Sequence, residues 1–214
     1  MSVELLDKLF GSSVRVKILR LFLLNRGAVF PFADIVRRAN VRPIPARKEM
    51  RLLESLGFVK RRKGTAQDLI SLKNGEVATR GVKKSSNKKI DGYQLNELFP
   101  LIVGLKGLVL NASPMSRITV GSLARSAGKV KLLIVAGFLV QDDASRVDLL
   151  VVGDSLKRAP IDKAIAAIEA DAGREITYAV LTTQEFNYRL EMSDKFIRDV
   201  LDFPHEKIVN KLGV

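Results

Sequence analysis

Residues 32–62 read FADIVRRANVRPIPARKEMRLLESLGFVKRR, and the order of elements they encode decides the fold of the first half of the chain. A short helix is expected over 32–39, with Ile35 inward, Phe32 or Val36 beside it, and Arg37 and Arg38 outside. A tight connection follows through Asn40, Val41, Arg42 and Pro43. A longer helix over about 44–56 then accommodates Pro45, because the first turn of a helix holds N–H groups with no intrahelical partner. Ala46, Met50 and Leu53 fall on its inner side. Arg47 and Arg51, four residues apart, share the outer side with Lys48. Gly57 ends this helix, and Phe58, Val59 and Lys60 open an extended segment. Upstream, Ser12 or Ser13 caps a helix over 14–25, where Val14, Ile18, Leu21 and Phe22 recur at three- and four-residue spacing. Asn25, Arg26 and Gly27 stop it.

The charge is one-sided. The 214 residues carry 36 Lys and Arg against 23 Asp and Glu, a formal charge of +13. Residues 1–110 hold 22 of the cations and 9 of the acids, whereas residues 111–214 hold 14 of each. Two units with different partners are expected, the first facing a polyanion, for which nucleic acid is the natural candidate. The length allows one large domain or two small ones. With 47% hydrophobic and 28% charged residues, wholesale disorder is excluded. The absence of Cys excludes disulfide frameworks, thiolate zinc sites and Cys nucleophiles, and fits a reducing compartment. Glu4, Asp7 and Lys8 interrupt any N-terminal apolar signal. The most apolar stretches, 98–110 and 130–140, fall short of the about 20 residues a membrane span needs, and carry Lys106 and Lys131. A soluble, cytoplasmic protein without a membrane partner is expected.

Helix, short helix, tight turn, helix and strand is the order of a winged helix-turn-helix. The stretch quoted above resembles the recognition half of that family, above all in its ending LLESLGFVKRR, where the chain leaves the recognition helix through a Gly and enters the wing. The resemblance spans roughly residues 10–97. It implies double-stranded DNA as partner, with the helix over 44–56 in the major groove and Arg42, Arg47, Lys48 and Arg51 meeting bases or phosphates. The wing is long: some thirty residues separate Phe58 from a return strand at Gly92, Tyr93, Gln94 and Leu95. Within 60–89 lie ten cations (Lys60, Arg61, Arg62, Lys63, Lys73, Arg80, Lys83, Lys84, Lys88 and Lys89) against Asp68 and Glu76. A further strand over 68–72 is expected in its middle. Winged helices also bind RNA or protein, and both stay open, although Phe58 and Tyr93 offer few rings for stacking on single strands.

From Asn96 to Leu110 the chain is dense in apolar residues, and a helix there needs partners on more than one side. It closes the first domain, packs on the second, or forms a dimer seam. The domain reading is thus 1–97 for the DNA-binding unit, 98–114 for an apolar connecting helix and linker, and 115–214 for a second domain.

In the second domain a helix over 116–127, stopped by Gly128, leads to a buried strand over 131–138. The link to a second apolar run over 147–152 is so short that only an antiparallel pair is possible. A helix over 160–170, a strand over 175–181, helices over 183–190 and 193–201 and a last strand over 205–212 complete an α+β domain around a small mixed sheet. This layout resembles the polymerase-beta type of nucleotidyltransferase. That family opens with a strand ending in Gly-Ser and then carries two acids one apart, here aligned with Ser145-Arg146-Val147-Asp148-Leu149-Leu150-Val151-Val152-Gly153-Asp154. Its chemistry needs both carboxylates on one strand face to hold Mg²⁺. Arg146 replaces the first, Gly137-Phe138 replaces the Gly-Ser, and residues 176–180 supply no third acid. The resemblance therefore implies a catalytically silent domain without metal or cofactor. For the remaining acid, an intramolecular contact between Arg146 and Asp148 is expected.

Other candidates carry less. His205 reads as a surface or capping residue, and Thr182-Thr183-Gln184-Glu185 as a helix cap. No Walker loop, zinc spacing or Ser-His-Asp order is present. The expected function is a DNA-binding transcriptional regulator, a homodimer whose second domain serves dimerisation, a protein partner or a small-molecule effector. The alternatives are an antitoxin-like or adaptor protein and an active minimal nucleotidyltransferase.

Overall fold

The residues described by the computed structural model are 2–64, 90–110, 117–142 and 145–214. They fall into two units, Met1–Ala112 and Ser113–Val214. The strand expected at 68–72 and the cations Lys73, Arg80, Lys83, Lys84, Lys88 and Lys89 lie outside the described residues.

In the first unit, α1 (Ser2–Phe10) precedes the helix read from periodicity, which runs as α2 (Ser13–Leu24). Ser12 caps α2, its hydroxyl accepting the Arg15 N–H at 3.2 Å. Helices α3 (Phe32–Arg38) and α4 (Pro43–Ser55) follow. At the end of α4, Gly57 takes φ +76°, its N–H bonds to the Glu54 carbonyl, and the Phe58 N–H bonds to the Leu53 carbonyl. This pair of bonds turns the chain sharply back under the helix. Phe58 thereby enters a core in which it meets Phe22 and Phe99 edge to face, at centroid distances of 6.5 and 5.6 Å. The chain then forms an antiparallel pair, β1 (Val59–Gly64) with β2 (Ile90–Leu95).

The helix expected from Asn96 onward begins only at Ile102 (α5, Ile102–Leu110). Pro100 disfavours helical backbone at Phe99, and residues 96–99 instead close a turn, with Asn96 accepting the N–H groups of Leu98 and Phe99. Helix α5 packs on the core of the first unit through Ile102, Leu105 and Val109. The buried Arg20 of α2 donates from Nε to the Val109 carbonyl at 3.2 Å, setting a cation at the C-terminal end of α5. Val103 and Leu108 of α5 remain exposed, as do Leu98 and Leu101 in the turn before it.

The second unit is α+β around a mixed sheet. Helix α6 (Arg117–Ser126) leads into β3 (Lys129–Ala136), a 3-10 turn (Gly137–Val140) and β4 (Leu149–Asp154). Then come α7 (Arg158–Ala172), β5 (Tyr178–Leu181), α8 (Thr183–Glu191), α9 (Lys195–Asp202) and β6 (His205–Asn210). The strand order is β5-β4-β3-β6, with β4 and β5 parallel and the other pairs antiparallel. The central strands are buried on both faces, which is why they read as unbroken apolar runs. Leu133, Val135, Leu149 and Val151 pack with residues of α6 and α7, while Leu132, Ile134, Leu150 and Val152 pack with Phe186, Ile197 and Val200 of α8 and α9.

Candidate nucleic-acid interface

Helix α4 has one inner acid, and it is used internally. The Glu49 carboxylate accepts the Arg15 Nε–H at 2.8 Å, and Arg15 Nη1 donates to the Phe10 carbonyl at 2.8 Å, so α1, α2 and α4 are locked together. The outer side is left cationic. Arg47, Lys48 and Arg51, all exposed, line an open groove with Pro43 and Ile44. The Arg47 guanidinium lies over the Phe32 ring, 5.0 Å from its centroid, which holds this long side chain in one region. Arg42, also exposed, is the N-cap residue of α4.

Gly92 brings the strand pair to the same side. A Cβ there would stand 2.8 Å from the Phe30 carbonyl oxygen. Without one, Phe30 and Tyr93 exchange both backbone hydrogen bonds at 2.8 Å. Phe30 leads directly into α3, so Phe32 stands between Arg47 and a second cleft, lined by Phe32, Arg61, Arg62, Lys63, Asp91, Gly92 and Tyr93.

The four cations of β1 are not equivalent. Lys60 and Lys63 are exposed. Arg61 donates from Nε to Glu54 Oε1 at 2.8 Å and lies over the Tyr93 ring at 5.8 Å. The Glu54 hydrogen bond is the chief reason its guanidinium holds its proton more tightly than an ordinary Arg. Arg61 thus ties β1 to the last turn of α4. Arg62 donates to Gln94 Oε1 at 2.8 Å, and Gln94 passes the chain on to the Gly27 carbonyl at 2.7 Å. Sequence reading placed all four on a nucleic acid and missed these two braces. The i, i+7 spacing of Glu54 and Arg61 crosses a turn, where helix rules give no signal. Lys83, Lys84, Lys88 and Lys89 lie outside the described residues.

In the second unit, the residues around Asp148 have a different geometry from that expected. Asp148 directly precedes β4, is 5% exposed, and uses both carboxylate oxygens on backbone amides. Oδ1 accepts the Phe138 N–H and Oδ2 the Thr177 N–H, each at 2.8 Å. Gly137, at φ +57°, is required because a Cβ would come within 2.5 Å of Asp148 Oδ1. The expected Arg146–Asp148 contact is corrected: Arg146 Nε pairs with Asp199 Oδ2 of α9 at 2.8 Å. The Phe138 ring lies under the Arg174 guanidinium at 4.4 Å. A divalent cation does not fit these residues, since the remaining carboxylate already faces amide hydrogens and position 146 is a cation. Among the described residues, no group of three His, Asp or Glu is placed to hold a metal ion. Among them, too, no helix is long and apolar enough to cross a membrane. Comparisons of the chain with protein-family models, with curated proteins and with solved structures found no match.

Proposed function

We propose that the protein is a DNA-binding transcriptional regulator of the winged helix-turn-helix kind, in which α4 enters the major groove and the β1–β2 pair, with the basic segment between its strands, grips the flanking phosphates. The observation that carries this reading is the outer stripe of α4. Arg47, Lys48 and Arg51 are all exposed, and the helix's inner acid, Glu49, is turned into the protein. The second unit acts as a nucleotidyltransferase-like module without catalysis, used to dimerise or to bind a partner or ligand. The use of both Asp148 oxygens as backbone acceptors supports that part.

The test is duplex binding as a function of salt. If six to ten cations touch phosphates, affinity falls about a thousandfold or more between low and moderate salt. Arg47→Ala and Arg51→Ala each weaken the best site by about tenfold and change its sequence preference. Loss of Lys83, Lys84, Lys88 and Lys89 lowers affinity for every duplex alike and flattens the salt dependence. Equal effects from both sets would rule out reading by α4.

An adaptor or antitoxin-like role is the second reading, favoured by the exposed Leu98, Leu101, Val103 and Leu108. A stoichiometric protein partner recovered together with salt-insensitive behaviour on DNA would decide for it.

A further inference from the structure

The groove on α4 holds one residue that does not belong in a phosphate-binding surface. Ile44 is 86% exposed, and lines the groove with Arg47, Lys48 and Arg51 at helical spacings of three, four and seven. Its neighbours in the first turn are Pro43 and Pro45, neither of which has an N–H. The Ala46 N–H is already bonded to the Arg42 carbonyl at 3.2 Å. The start of α4 therefore lacks the converging N–H groups with which a helix N-terminus holds a phosphate. It is an apolar tip flanked by cations.

A flanking ring of positive charge draws this tip to a polyanion rather than to another basic or apolar protein surface. In the major groove of duplex DNA, the apolar group on a base edge is the C5-methyl of thymine. Resting on our reading of α4 as the groove-entering helix, we infer that Ile44 is a specificity-determining residue that packs on a thymine methyl, while Arg47, Lys48 and Arg51 contact the adjoining bases and phosphates. The same contact selects DNA over RNA, because uracil has no methyl and the A-form major groove is too deep and narrow for side chains to read.

The experiment uses the full chain and the duplex it selects from a random-sequence pool. Each thymine in that duplex is replaced in turn by deoxyuridine, which removes one methyl and nothing else. Replacement at one or two positions weakens binding about fourfold, the worth of one buried methyl, while the others have no effect. Ile44→Ala abolishes this sensitivity and leaves the salt dependence unchanged; the side chain is outside the core, so folding is unaffected. Wild-type protein that binds every deoxyuridine duplex as tightly as the thymine duplex overturns the inference while leaving duplex binding in place. An Ile44→Ala variant that keeps the sensitivity overturns it too. A chain that retains no duplex even in dilute buffer removes both this inference and the reading it rests on.

Discussion

At Asp148 two segments distant in sequence meet on one carboxylate, the Phe138 amide on one oxygen and the Thr177 amide on the other. The residue type matches what a metal-dependent enzyme would place there, but its lone pairs serve the backbone. Asp148→Ala leaves two partly buried N–H groups without their acceptors and is expected to cost about 2–4 kcal/mol of stability, read from urea unfolding of the full chain. Asp148→Asn, which keeps one acceptor, costs less. A cost below about 1 kcal/mol for the alanine variant would mean that water replaces the carboxylate. The same scale separates the arginines of β1. Arg61 and Arg62 are spaced like their lysine neighbours, and nothing in the linear order says that Glu54 and Gln94 engage them.

Among the elements, those with caps and regular spacing were legible. Ser12 and Gly57 marked the ends of α2 and α4 because each satisfies backbone groups that a helix leaves open. Gly57→Ala forces a side chain into left-handed backbone at φ +76° and is expected to destabilise the first unit by about 1–2 kcal/mol, measured as a lower urea midpoint. No change in midpoint would mean that the turn relaxes without cost. Two elements were misjudged. The apolar density of 96–110 hid the effect of Pro100, so the helix starts six residues later than expected, at Ile102. Helix α1 went unread because, among its described side chains, Leu6 is buried and Phe10 partly so while Leu5 and Leu9 stay exposed, and so few inward positions make no clear periodicity.

At the scale of the molecule, each unit closes its own core, with Phe22, Phe30 and Phe58 in the first and the two faces of the sheet in the second. The fragments 1–112 and 113–214 are therefore expected to unfold cooperatively by themselves, followed by circular dichroism. Fragment 1–112, which holds the charge excess, retains salt-sensitive duplex binding, and fragment 113–214 has none. Binding by the second fragment would show that charge balance is a poor guide to partner here. The amino-acid order alone determined most of the element types, the antiparallel β3–β4 pair and the confinement of the excess positive charge to one half, because periodicity, link length and composition are local quantities. Only the tertiary structure decided which charged groups are engaged internally, that Arg146 turns to Asp199, and that Ile44 stands in water among cations. Those facts depend on which surfaces meet across long stretches of chain, and no spacing rule reports that.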